Sequence, residues 1–207
     1  MLRSWLFVYS MNIGRYIIFN ENISWENELS MSIRHWRQDD FEVVRYILWE
    51  TWKDSYASFI PVDDLLSYFN EHYTLIKLEE QYNDANVKGF IAEYNEVAAG
   101  YEKTYHNEKE NRFYVHQLYI LPAHQNLGLG KKLMKSAAEV ARSMGYDRIW
   151  LGVMVKNESA VSWYKKMGYE IVENAPFTMG NTTVDHFIGF VPVGKILKVE
   201  KPVGNEG

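Results

Sequence analysis

The 207-residue sequence predicts one mixed α/β domain built on a single central sheet. Three observations carry this. Apolar residues make up 47% of the chain, a globular composition on a length sufficient for one sizeable core. Segments with apolar residues at helical spacing alternate with strand-like runs. The order of these segments (helices, hairpin, strand, helix, strand, helix, strands) contains no repeat and no low-complexity stretch.

The elements follow in order. Residues 33–36 are extended, and Gln38-Asp39-Asp40 is a capping cluster for a helix over 41–55, with Phe41, Val44, Ile47 and Leu48 on one face. Pro61 breaks that pattern and opens a second helix through Leu65, Leu66 and Phe69; helical spacing resumes over 75–82. Strands at 89–94 and 97–106 flank Asn95-Glu96, a hairpin turn. A charged loop at 107–111 precedes a strand over 113–121, which Pro122 stops. A helix over 128–144 presents Leu129, Leu133, Ala137 and Val140 on one side and closes at Gly145. A strand at 148–155 leads to a helix over 157–167, capped by Asn157 and ended by Gly168. Strands at 169–173 and 184–191 complete the set. The folded domain is expected over 31–195, with an N-terminal extension over 1–30 and a C-terminal tail over 196–207.

Composition narrows the function classes. With 22 Lys+Arg against 27 Asp+Glu the net charge is −5, which argues against a nucleic-acid partner and fits a cationic ligand better. The absence of cysteine excludes disulfides, a thiol nucleophile and Cys-based metal sites. No clustered metal-ligand set appears, so no metal is expected. A reducing, cytoplasmic location is the natural reading, and no run approaches the ~20 apolar residues that span a bilayer. Residues 1–19 are apolar and aromatic, but Asn12, Gly14 and Arg15 interrupt them and no small-residue cleavage site follows, which disfavours a signal peptide. Because the domain pattern begins after Met31, this segment reads equally as an added strand, a loose arm or a misassigned start.

The chemistry concentrates after the strand Leu118-Tyr119-Ile120. Pro122 turns the chain, and Gln125-Asn126-Leu127-Gly128-Leu129-Gly130-Lys131-Lys132 opens a helix. Backbone N–H groups at a helix start lack intrahelical partners and, with the helix dipole, bind anions. Glycines let a bulky anion approach the backbone, and the lysines add charge. A pyrophosphate fits. A P-loop needs Lys-Ser/Thr after its second glycine, which Lys131-Lys132 fails; a dinucleotide fold wants a third glycine. An ordinary tight strand–helix turn remains the plain alternative.

Gln125-x-x-Gly128-x-Gly130 after this strand resembles the acetyl-CoA motif of the GNAT superfamily of N-acetyltransferases. A second segment, from Asn157 through Ala160 and Tyr164 to Gly168-Tyr169, resembles that superfamily's Asn-x-x-Ala-x-x-x-Tyr-x-x-x-Gly-Phe segment. The resemblance covers about 97–169. More narrowly, 149–153, Lys156-Asn157-Glu158 and Met179-Gly180 resemble bacterial spermidine/spermine N-acetyltransferases.

The resemblance implies a mixed, mostly antiparallel central sheet with flanking helices and a splayed strand pair. Acetyl-CoA is the implied co-substrate. It would be held by the backbone of Leu118, Tyr119 and Ile120, by the turn Gln125, Asn126, Leu127, Gly128, Leu129, Gly130 and Lys131, and by Asn157, which as a helix cap needs no further explanation. A backbone N–H of the splayed strand would polarise the thioester. Tyr164 is the implied general acid for the departing thiolate, against its plainer role as a packed helical tyrosine.

The acceptor amine must lose a proton, since an alkylammonium has a pKa of ~10. His116, two residues before Leu118 and expected on the same face of the strand, is the preferred base or water-holder, with Glu93 and Tyr114 as alternatives and a merely hydrogen-bonded histidine as the plain reading. Trp52, Tyr56 and Glu93 are candidate substrate contacts, within a Trp49–Tyr56 cluster that equally makes an amphipathic helix. The expected partner is a small-molecule amine, most simply a polyamine. A peptide or protein amine and a non-catalytic acyl-CoA-binding module remain alternatives, and a homodimer is compatible.

Overall fold

The computed structural model describes residues 30–198. The expected extension over 1–30, except Ser30, and the tail beyond Lys198 lie outside the described residues.

Among the described residues, seven strands form one sheet: β1 (Met31–His35), β2 (Val87–Tyr94), β3 (Val97–Asn107), β4 (Arg112–Ile120), β5 (Arg148–Met154), β6 (Glu170–Met179) and β7 (Thr182–Pro192). Their spatial order is β1-β2-β3-β4-β5-β7-β6. Every neighbouring pair is antiparallel except β4 with β5, the one parallel contact. On one face lie α1 (Phe41–Tyr56), α2 (Val62–His72) and α3 (Leu75–Asn83). On the other lie α4 (Leu129–Ser143), α5 (Glu158–Lys166) and the short α6 (Val193–Ile196). Among the described residues, no helix is long and apolar enough to cross a membrane.

Period-two burial explains the two cores. Tyr101 and Ile91 turn toward α1, where they meet Val44, Ile47, Leu48 and Trp52. Phe113, Val115 and Ile149 turn toward α4 and meet Met134, Ala137, Ala138 and Ala141. The small residues of α4 bring that helix close to the sheet where β4 and β5 meet.

The hairpin turn at Asn95-Glu96 has positive φ at both residues, as a type I′ geometry requires. One strand far exceeds expectation. The strand expected over 169–173 continues to Met179, through Pro176. Pro176 is tolerated because β6 is the edge of the sheet, where a missing N–H breaks no ladder. Its hairpin with β7 turns at Gly180, at φ +58, where a Cβ would fall 2.6 Å from Asp64 Oδ1. Asp64 of α2 accepts from the Asn181 backbone N–H (2.9 Å) and the Thr182 hydroxyl (2.6 Å). Helix α2 and the β6–β7 tip are thereby tied into one wall.

Candidate active site

Strands β4 and β5 are paired only at Phe113–Ile149 and Tyr114–Trp150. Beyond these positions they diverge, leaving the backbone of Gln117–Ile120 and of Gly152–Met154 on facing, unpaired edges. The opening belongs to a cavity of about 1170 Å³ that passes between α1, α2, β4, β5, the start of α4 and α5. Such unpaired N–H and C=O groups need partners, and an extended ligand lying in the gap would supply them.

At one end of the gap the chain makes a short 3₁₀ turn, Pro122–His124, and enters α4 through two left-handed residues, Asn126 (φ 62) and Gly128 (φ 91). The Gln125 amide donates to the Ile120 carbonyl at 3.3 Å, bracing the loop. No side chain caps α4, and the first intrahelical bond runs from the Lys132 N–H to the Gly128 carbonyl. The N–H groups of Leu129, Gly130 and Lys131 are therefore left without intrahelical partners, an arrangement able to take an anion. The two motif glycines do different work. Gly128 needs its positive φ, and a Cβ there would meet nothing within 4 Å, which is space for a ligand. A Cβ on Gly130 would come within 3.1 Å of the Trp163 indole, so this glycine lets α5 pack on α4. Gln125, Asn126, Gly128, Leu129, Gly130 and Lys131 line the cavity; Leu127 points away and is exposed.

Across the gap, Asn157 caps α5, its Oδ1 accepting from the Ala160 N–H at 3.1 Å, and also lines the cavity. One turn on, Tyr164 is 8% exposed and lies edge-on to Trp163, with ring centroids 4.9 Å apart. Its ring lines the cavity, and among the described residues its hydroxyl makes no hydrogen bond. Burial raises its pKa well above the ordinary tyrosine value, so it keeps its proton at neutral pH.

The other half of the cavity is aromatic. Trp52 is buried against Tyr56, Tyr68, Tyr73 and Tyr119, and the Tyr56 and Tyr119 hydroxyls meet at 3.5 Å. Phe177 of β6 closes the far side, edge-on to Tyr68 at 5.9 Å. Glu93 is not there. Its carboxylate accepts from the Arg34 guanidinium at 2.6 Å and from the Ser32 hydroxyl at 2.7 Å, in a cluster completed by Asp40. Its place on β2, opposite β1, removes it from the cavity as base or substrate contact.

His116 lines the cavity, but not on the face of Leu118. The register steps from Lys103–Gln117 to Thr104–Val115, so His116 is the extra residue of a β-bulge. The bulge reverses the alternation. Val115 before it and Leu118 after it both pack toward α4, whereas His116 lies 5.4 Å from Tyr114 and 5.2 Å from Tyr105, centroid to centroid, on the α1 face. The ring is open to solvent through the cavity. The protein crowded around it, together with Lys103, nevertheless pushes its pKa down to about 4.

Sequence reasoning did not single out four further lining residues: Lys103, Tyr73, Phe177 and His186. The His186 ring rests on Gly152, where a Cβ would fall 2.2 Å from the ring, and burial lowers its pKa. A glycine facing a cavity strand was the available signal for His186. For Phe177 there was none, because Pro176 concealed the strand.

This geometry is also a family geometry. Residues 31–169 match the model of the acetyltransferase (GNAT) family. N-alpha-acetyltransferase 50 of Danio rerio is 33% identical over 86 residues, 40% of this chain and 51% of that protein. Streptothricin acetyltransferase of Streptomyces lavendulae is 31% identical over 71 residues, 34% of this chain and 38% of that protein. The chain thus spans about half or less of the length of these relatives. Among solved structures, PaiA N-acetyltransferase from Thermoplasma acidophilum, in complex with coenzyme A, superposes with a TM-score of 0.70 at 22% identity over 79% of this chain and 99% of that one. Spermidine N-acetyltransferase from Vibrio cholerae, in complex with CoA and spermine, gives 0.61 at 20% identity over 81% and 98%. Acetyl-CoA is the co-substrate of this family, and the divergent β4–β5 pair with the uncapped α4 start fits it. On the match of its sequence over two thirds of its length, the chain belongs to the acetyltransferase (GNAT) family.

Proposed function

We propose that this protein transfers the acetyl group of acetyl-CoA to the primary amine of a small molecule by direct attack. The observation that carries the reading is the opening between β4 and β5, with outward N–H groups of α4 at one end and the Tyr164 ring in its wall. Acetyl-CoA, when bound, supplies the thioester carbonyl and a thiolate leaving group. The chain's part is threefold. The α4 start and Lys131 hold the diphosphate, and the unpaired β4 backbone holds the arm and donates to the carbonyl oxygen. Tyr164, protonated at neutral pH, gives its proton to the departing sulfur. His116, neutral at the same pH, accepts a hydrogen bond from water that relays the proton of the ammonium; with a pKa of about 4 it suits holding water better than storing a proton.

A polyamine acceptor is supported by the fold likeness to spermidine N-acetyltransferase, and a peptide N-terminus by the likeness to N-alpha-acetyltransferase 50. The acceptor half speaks against a polycation: among the described residues the cavity's acids are Asp54, exposed at the rim, and Glu158 at the start of α5, and the aromatic half holds a buried lysine. Thiol release from acetyl-CoA with a panel of spermidine, spermine, aminoglycosides, amino acids and short peptides tests the proposal. Release above the amine-free rate with at least one acceptor is expected. Tight acetyl-CoA binding with no release from any amine would leave a binding module instead.

A further inference from the structure

Two ionisable residues lie side by side and buried on β3, and the strand's alternation sends them to opposite faces. Glu102 turns toward α4. Lys103 turns toward the acceptor cavity and is 8% exposed. Its Nζ donates to the Gln81 side-chain oxygen at 2.7 Å and lies 5.9 Å from the Tyr73 ring centroid. Among the described residues it has no carboxylate partner.

Buried ammonium groups are normally paired, because an uncompensated charge away from water is costly. An ammonium has three donors, and the protein here engages one. The groups facing this corner from the neighbouring elements do not repair the deficit. His116 is neutral, Gln117 donates to the Tyr73 hydroxyl at 2.6 Å, and Trp52, Tyr56, Tyr68 and Tyr73 carry no charge. Burial accordingly lowers the lysine pKa to about 8, leaving it mostly charged at pH 7. In the sheet Lys103 pairs with Gln117, just past the point where β4 leaves β5. The Lys103 backbone is thus one strand spacing, ~4.8 Å, from β4, the strand that borders the gap, and its side chain rises from there into the cavity.

We infer that Lys103 anchors a carboxylate carried by the acceptor itself, so that the favoured substrate is an amino acid with an apolar or aromatic side chain. The inference rests on the acetyl-transfer reading and specifies its acceptor. The carboxylate completes the charge of Lys103, the aromatic wall of Trp52, Tyr56, Tyr68 and Phe177 takes the side chain, and the amine is left toward the gap. A polycation meets repulsion at the same corner.

The test uses matched acceptors that differ only in the carboxylate: phenylalanine against phenethylamine, and tyrosine against tyramine, read by thiol release. The wild type should favour the carboxylate member by about tenfold or more in kcat/KM, the scale of one engaged charge pair. Lys103→Met should erase most of that ratio through the acceptor KM, and Lys103→Arg should keep most of it. Equal use of both members, a preference for the decarboxylated amine or for spermidine, or a ratio untouched by Lys103→Met would overturn the anchor while leaving acetyl transfer standing. Absence of release from every amine would instead sink acetyl transfer. The anchor is then decided by calorimetry with 3-phenylpropionate: binding lost in Lys103→Met supports it, and equal or absent binding in both proteins refutes it.

Discussion

Replacing Glu102 with leucine should stabilise this protein, and by more at high pH. Glu102 is fully buried on β3, both carboxylate oxygens lack partners among the described residues, and its sheet neighbours are Phe90 and Leu118. Burial raises its pKa well above 4.5, so the folded chain holds a proton that the unfolded chain releases. A raised carboxyl pKa means that the native state binds more protons above pH 4.5, so stability falls as pH rises from there. Each pH unit costs about 1.4 kcal/mol, on the order of 3 kcal/mol by pH 7 if the acid is still neutral. The unpartnered polar group adds about 1–3 kcal/mol. Leucine has similar volume and removes both penalties. At about 2–4 °C per kcal/mol for a chain of this size, the two penalties together (about 4–6 kcal/mol) give an expected rise in Tm of roughly 8–24 °C at pH 7. Glu102→Gln separates the two parts, since it removes the titration and keeps a buried polar group. The assay is thermal unfolding followed by circular dichroism at pH 5, 6, 7 and 8. The advantage of the leucine variant should widen across that series. A leucine variant less stable than wild type, or an advantage that does not change with pH, would refute the reasoning.

Three further outcomes are expected. Tyr164→Phe should lower kcat by about 100-fold or more, the usual scale for a general acid, while acetyl-CoA binding by calorimetry survives; an unchanged kcat at saturating substrates removes Tyr164 from the chemistry. Gly128→Ala should destabilise the fold by about 1–2 kcal/mol through the left-handed backbone and weaken CoA binding by placing a Cβ in the open approach to α4, so equal affinity by calorimetry would contradict the anion-site reading. Lys103 has a folded pKa of about 8 against 10.5 unfolded, so between these values the unfolded chain holds more protons and stability rises with pH. Comparing wild type with Lys103→Met by urea unfolding from pH 7.5 to 10.5 should show the variant ahead at the lower end, by up to about 3 kcal/mol, with the difference closing toward the upper; a constant difference refutes the shift.

Local patterns with strong physical signatures were legible in the chain. Gly128 before an amphipathic run announces a helix start because only a residue tolerant of positive φ enters α4 this way. Asn157 announces α5 because its side chain satisfies a first-turn N–H. Asn95-Glu96 between two apolar runs announces the β2–β3 hairpin. These are interactions within a few residues, and the motif positions of the cofactor half are nearly all local.

The acceptor half depends on distant pairings. Whether His116 shares the face of Leu118 depends on one extra residue in the β3–β4 register, and the bulge reversed the alternation that the strand pattern implied. Glu93 reads as a carboxylate near the substrate, yet strand β1 brings Arg34 against it. Glu102 and Lys103 are adjacent in sequence, yet the pleat sends them to opposite faces of the sheet. His186 and Phe177 reach the cavity only because β6 and β7 fold back beside β5. Hydrogen-bonding groups and φ preferences act between near neighbours, so composition and spacing alone foretold most elements and the glycine turn that enters α4. Register, strand order and the burial of charge are long-range properties, and these decided which side chains face the acceptor.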